Sequence, residues 1–351
     1  MDIKNLAAIL YKDNFGVRMP VVADRSHVLE ILRRFEEAEA VMPVICYDGR
    51  EDMEGALIGV KRYAEEHGIK DPPLALSITY GYPEMSQAAR VWRCRNKKAG
   101  LKASFSDMDI LCGPDGPYSD ILVLPHLDHA DAEKEERVWR EFSDHLATVL
   151  VDGSLGDRTL DENIRLTARA VERYGKKLVI EGCLQRPAVE GVHGAEALAG
   201  ADTPRQYAGM ARDYVRRTGV DLVVVELGSS QQAVGWASYK PQIARAVTKA
   251  LGGRHMLVLH GGSSVKPEAM ATMGADGIVR FNMWTRMAYE AAQAGAKAVL
   301  RDAQYVFTGD RPPNAPHQQY RTRYSDAYVD HAAAVVGEIL KAQNYRKLAE
   351  V

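Results

Sequence analysis

Ile121-Leu122-Val123-Leu124-Pro125-His126-Leu127-Asp128-His129-Ala130 decides how this chain is read. The apolar run Ile121–Leu124 predicts a buried strand. It stops at a proline and then presents two imidazoles flanking a carboxylate. Titratable groups at the end of a buried strand stand at the mouth of a sheet or barrel. There they meet a metal or a substrate.

Downstream the alternation is regular. Strands are predicted at Ala147–Val151, Lys177–Ile180, Asp221–Leu227, Met256–Leu259 and Gly277–Phe281. Between and after them lie helices at Ala132–His145, Leu160–Tyr174, Thr203–Thr218, Ile243–Leu251, Pro267–Met273 and Arg286–Leu300. Each strand ends in a polar or glycine-rich cluster: Asp152-Gly153-Ser154, Glu181-Gly182-Cys183, Gly228-Ser229-Ser230, His260-Gly261-Gly262-Ser263 and Asn282-Met283-Trp284-Thr285. Upstream, Met19–Asp24 and Val41–Tyr47 read as strands, with helices at Ser26–Ala40 and Met53–His67. Functional clusters at every strand end are the layout of a (β/α)8 TIM barrel, whose chemistry sits on the loops at the C-terminal strand ends. A doubly wound sheet gathers such clusters at one switch point, and no GxGxxG follows an early strand.

These strands make eight without Pro73–Thr79. Residues 71–120 are therefore expected to be an insertion before the third barrel strand. The barrel is placed at residues 1–305. Residues 306–351 form a C-terminal helical extension that packs on the barrel or on a partner subunit. The basic stretch Arg93–Lys102 reads as a solvated face.

Bulk properties narrow the class. The 351 residues are 46 % hydrophobic, enough for one large core, and the net charge is −2. That balance favours neither nucleic acid nor an anionic membrane. No apolar run approaches the roughly 20 residues of a membrane span, and the N-terminus shows no export signal. Cys46, Cys94, Cys112 and Cys183 form no close pairing motif, so a reduced cytoplasmic protein is expected.

Taken together, the ordered motifs resemble the class II, metal-dependent ketose-bisphosphate aldolases. They are His126-Leu127-Asp128-His129, Val151-Asp152-Gly153-Ser154 with Asp161-Glu162-Asn163-Ile164, Glu181-Gly182, Gly228-Ser229-Ser230, Leu257–Ser263 and Asn282-x-x-Thr285. The resemblance implies a lyase that makes or cleaves a carbon–carbon bond in a phosphorylated ketose. The donor would be of the dihydroxyacetone phosphate type, with an unusual aldehyde, and the reaction would pass through a metal-stabilised enediolate. It implies zinc or another divalent metal, with His129 and His260 as ligands. Asp128 becomes the acid/base and Glu190 a second, mobile base. Gly261, Gly262, Ser263, Asn282 and Thr285 become contacts to substrate and phosphate. A homodimer or higher homo-oligomer is also implied.

Three departures from the family pattern bear on the site. Where the family has its second metal histidine, this chain has Gln231. An alignment matching Tyr239-Lys240-Pro241 instead puts Trp236 there and keeps Lys240 as the phosphate lysine. A glutamate of the strand-five motif is Cys183, leaving Cys183, Glu181 or Gln231 as third ligand. An aspartate near strand eight is Trp284, followed by Arg286, which with Arg280 offers bidentate phosphate contacts. The competing expectations are a metal-independent acid/base enzyme acting on a sugar phosphate on the same barrel, and a non-catalytic sugar-phosphate binder.

Overall fold

Eight parallel strands, hydrogen-bonded in sequence order, close into a barrel in the computed structural model, which describes residues 20–156, 158–192, 203–310 and 320–351. The strands are β1 (Met42–Cys46), β2 (Pro73–Thr79), β3 (Leu122–Asp131), β4 (Thr148–Asp152), β5 (Val179–Cys183), β6 (Leu222–Val224), β7 (Leu257–Leu259) and β8 (Ile278–Met283). All are buried along their length, because side chains fill the barrel and helices cover its outside. The barrel closes where β1 pairs with β8, Val44 opposite Asn282.

The expected barrel and C-terminal helical extension are present, but the strand roster needs one exchange. Pro73–Thr79 is the second barrel strand, paired with β3 from Pro73–Leu122 to Thr79–Asp128. The stretch predicted as a first strand makes only an isolated bridge, Val21 to Val123, outside the barrel. Met19 lies outside the described residues. Residues 71–120 do precede the third strand. They supply β2, a long loop and α3 (Lys97–Cys112), which is one strand–helix unit of the barrel and not an addition to it. No helix forms over Met85–Cys94. The chain there folds back on the end of β2, with Gln87 exchanging hydrogen bonds with Thr79.

The remaining helices are α1 (Arg25–Glu37), α2 (Arg50–His67), α4 (Glu136–Phe142), α5 (Leu160–Tyr174), α6 (Pro204–Thr218), α7 (Pro241–Ala250), α8 (Pro267–Met270), α9 (Thr285–Arg301), α10 (Ala303–Thr308) and α11 (Tyr320–Ala342). Local chemistry sets their ends. Thr159 with Glu162, and Thr203 with Gln206, build reciprocal capping boxes at α5 and α6. Gly68 and Gly219 end α2 and α6 in the left-handed conformation.

α11 lies across α2 and α9. Gly55 and Gly59 give it a floor: a Cβ on Gly55 would meet the Ala332 side chain at 2.6 Å, and one on Gly59 the Ala333 carbonyl at 2.7 Å. Residues 311–319, within the predicted C-terminal extension, lie outside the described residues. Among the described residues, no helix is long and apolar enough to cross a membrane.

Candidate active site

The site begins with an irregularity in β3. Leu127 pairs with Val149 and Ala130 with Val151, so β3 spends one residue more than β4 over this step. The extra residue forms a bulge, and His129 takes φ 45°, the left-handed region that a histidine seldom occupies. In a regular strand Asp128 and His129 would face opposite sides. The bulge turns both toward the same point, at the C-terminal mouth of the barrel.

His260, directly after β7, faces them. One atom each from Asp128, His129 and His260 lie within 4.8 Å of one another, and all three residues are buried. Each imidazole is oriented from behind by a carboxylate. His129 Nδ1 lies 2.7 Å from Asp152 Oδ2, and His260 Nε2 lies 3.2 Å from Glu181 Oε1. A ring nitrogen against a carboxylate carries the proton, so the other nitrogen presents a lone pair. Those two, His129 Nε2 and His260 Nδ1, are 3.1 Å apart. Facing lone pairs require a proton or a cation. This donor set of two imidazoles and a carboxylate fits a divalent metal.

The electrostatics agree. Burial disfavours charge on Asp128, but His129 and His260 and a contact from His126 outweigh it, holding the carboxyl well below the usual range. Burial likewise opposes charge on His129, yet Asp128 and Asp152 raise it to about 9. The acids around His129 therefore favour positive charge there. Glu181 is buried too, and its carboxylate is kept ionised by Arg280, whose guanidinium donates to Glu181 Oε2 at 3.0 Å. Arg280 is wholly inside the barrel, so its expected phosphate role gives way to a structural one.

A narrow cleft of about 60 Å³ opens on the cluster, lined by Cys46, Tyr82, Asp128, His129, Gln231, His260, Gly261, Ser263, Asn282, Trp284 and Thr285 among others. Most of the expected substrate residues therefore do converge. Asn282 is buried, and both polar atoms of its amide lack a hydrogen-bond partner among the described residues, which leaves them open to a ligand. Gly261 has φ 66°, and a Cβ on Gly262 would strike the Phe281 ring at 2.4 Å. This turn accepts only glycine at those places. Ser263 Oγ accepts the Arg286 N–H at the start of α9, at 3.0 Å, and keeps its own proton for a ligand. The N-terminus of α9 at Thr285 favours an anion.

Other expected residues lie elsewhere. Cys183 is fully buried, donates to the Gln185 carbonyl at 3.1 Å, and is not in the three-residue cluster. Burial and the charge of Asp152 push its thiol well above the ordinary value, opposite to what a thiolate ligand needs. Glu181 orients His260 and is likewise outside the cluster. Arg286 is turned outward, donating to Glu290 and Glu338 at 2.9 Å each. Glu190 accepts the Val234 N–H at 2.9 Å and does not line the cleft. Lys240 is exposed at the start of α7.

Three residues were missed as site residues. Asp152 orients His129. Cys46, at the end of β1, places its sulfur 3.9 Å from Asp128 Oδ2. Tyr82 stacks flat on the His129 ring at 4.2 Å. The Tyr80-Gly81-Tyr82-Pro83 strand break was a usable sign of Tyr82. Nothing in the sequence marked it as a neighbour of His129.

Paired histidines backed by carboxylates, at the C-terminal rim of a (β/α)8 barrel, define a candidate metal-assisted enzyme of the barrel class. The sequence profile of the fructose-bisphosphate aldolases, class II, matches residues 104–344, more than half of the chain, and the chain belongs to that family. No curated protein matches the sequence. Among solved structures, the YdjI aldolase from Escherichia coli K12 is similar at 20% identity and TM-score 0.57, covering 89% of this chain and 94% of that one. The fructose-bisphosphate aldolase from Campylobacter jejuni is similar at 13% identity and TM-score 0.69, covering 93% and 96%. At these identities the likeness is one of fold.

Proposed function

We propose that the protein is a divergent class II aldolase, a lyase or synthase acting on a phosphorylated ketose or on a dihydroxyacetone phosphate-type donor with an unusual aldehyde. The carrying observation is the convergence of His129 Nε2 and His260 Nδ1 beside Asp128, with Asp152 and Glu181 fixing both tautomers. A divalent metal, with zinc the best fit to two imidazoles, would be held by His129 and His260 with the Gln231 amide oxygen as third ligand, leaving Asp128 free for proton transfer; it would polarise the substrate ketone.

The chain's own residues then have distinct tasks. Asp128, ionised, takes the proton of the hydroxyl on the carbon that becomes the aldehyde, and returns it in synthesis. Asn282 offers both a donor and an acceptor to substrate oxygens. Ser263, Thr285 and the first turn of α9 receive the phosphate. The α-proton of the ketone needs a second base. Glu190 serves only if it releases Val234. The four free cysteines suit a reducing cytoplasm, and the family implies a homodimer or larger homo-oligomer.

The test is metal content by elemental analysis together with retro-aldol assays over a panel of ketose phosphates. About one metal per chain and cleavage of at least one substrate are expected. A metal-free protein that cleaves nothing with metal added would overturn the proposal. A second reading rests on the geometry of the same cluster: His129, backed by Asp152 at 2.7 Å and grouped with the buried Asp128 carboxyl, forms with it an acid/base pair in its own right. Full activity in excess chelator would select it.

A further inference from the structure

We propose that Tyr82 is the positioning residue of the metal centre: its hydroxyl is a pivot on which the Gln231 amide turns to supply the third protein ligand. The inference rests on the metal reading above.

Tyr82 is held tightly. It stands in the loop after β2, and its ring lies on His129 with the planes only 16° apart. The loop is pinned to β2, since the Thr79 N–H donates to Gln87 Oε1 and Thr79 Oγ1 to the Met85 carbonyl. It is also tied to the loop after β5 by the Glu84–Arg186 ion pair. From this fixed position the hydroxyl donates to Gln231 Oε1 at 3.2 Å.

The Gln231 backbone is fixed as well. Its N–H donates to the Ala188 carbonyl and its carbonyl accepts from Glu190. What remains adjustable is the amide. In the structure its Nε2 faces His129 Nε2 at 3.1 Å, an orientation that turns the amide N–H, and not the oxygen lone pair, toward the cluster. Beside a positive charge the oxygen must face inward, because an amide nitrogen has no lone pair to give. A half-turn about the last torsion makes that exchange, and such terminal torsions are broad. A tyrosine hydroxyl both donates and accepts. It therefore bonds Oε1 in one orientation and the Nε2–H in the other, and the amide keeps a partner throughout. An amide oxygen is a weaker ligand than imidazole, so its orientation matters more here than for a third histidine.

The experiment is titration of the metal-free, full-length protein with Zn2+ against a chromophoric chelator, and with Co2+ followed by its visible absorption. Tyr82→Phe keeps the stack and loses the pivot. It is expected to weaken Zn2+ binding about tenfold and to shift the Co2+ spectrum toward that of Gln231→Leu. In the Gln231→Leu background Tyr82→Phe should cost nothing further. Gln231→His should bind more tightly than the unmodified protein and be insensitive to Tyr82→Phe. Should Gln231→Leu not fold, the histidine variant still decides. An unchanged affinity and spectrum in Tyr82→Phe, or an equal loss in every background, would overturn the pivot and leave Tyr82 a packing residue. An unmodified protein that binds neither ion would instead overturn the metal reading itself.

Discussion

The two sides of the cleft are built differently. On the β3–β7 side each imidazole has a carboxylate behind it, and Glu181 in turn has Arg280. On the β8 side the amide of Asn282 has no hydrogen-bond partner among the described residues, while Arg286 donates to Glu290 and Glu338. The wall residue Trp284 donates to Asp52, which also accepts from Tyr328 of α11. One side has both imidazoles oriented before any ligand arrives. The other is left unsatisfied where a substrate would bind and is otherwise braced from outside the barrel. Chemistry needs fixed geometry, whereas substrate choice needs surfaces that change without disturbing it. Of the departures from the family pattern, Trp284 with Arg286 falls on the second side, while Gln231 and Cys183 fall on the first.

That contrast can be broken by substitution. Asp128→Asn should have the largest effect, lowering kcat by roughly 10³-fold, within the usual span for a lost acid/base. Metal content by elemental analysis should stay unchanged. A loss of metal would instead make Asp128 chiefly a ligand. Asp152→Asn comes next: the His129 tautomer is freed, and metal affinity should fall about 10–100-fold in a chelator competition. On the open side, Asn282→Ala should lower kcat/KM about tenfold, leaving metal binding and Tm nearly unaltered, because no side-chain hydrogen bond among the described residues is lost. A fall in Tm would show that Asn282 is not the unsatisfied group it is taken for.

The smallest effect concerns pH. Burial, and then the Asp48 carboxylate, push Asp52 up from 3.8 to about 6. The folded protein therefore holds a proton there that the unfolded chain releases. The stabilising contribution is whole below about pH 4 and is lost as pH rises through about 6. Asp52→Asn should flatten that part of a Tm-against-pH curve. An unchanged slope would place the titration elsewhere.

The barrel was legible because its strands end in short motifs, and Asp128, His129 and His260 stand within those motifs. What escaped depended on three-dimensional placement. Met19–Asp24 and Pro73–Thr79 look alike as short apolar runs, and only pairing separates them. Gln231 could be placed by alignment in two ways, and the structure sets it beside His129. Arg280 and Arg286 were both offered to phosphate, because a sequence shows a cation but not its counter-ion. Cys183 reads as a ligand by residue type, and a sequence does not show that its thiol is fully buried and donates to the Gln185 carbonyl. Tyr82 meets His129 across a loop read as an insertion.

The seat of α11 on α2 has a consequence for how the chain is made. Tyr328 and Asp52 are 276 residues apart, and Tyr345 closes on Pro73 across 272. The first barrel helix to leave the ribosome therefore presents the face that α11 will cover long before that cover is synthesised. Such distant closures slow folding and prolong exposure of sticky surface. Asp48, Glu51, Asp52 and Glu54 crowd that same end of the helix, so the face that waits for the last helix has an acidic edge.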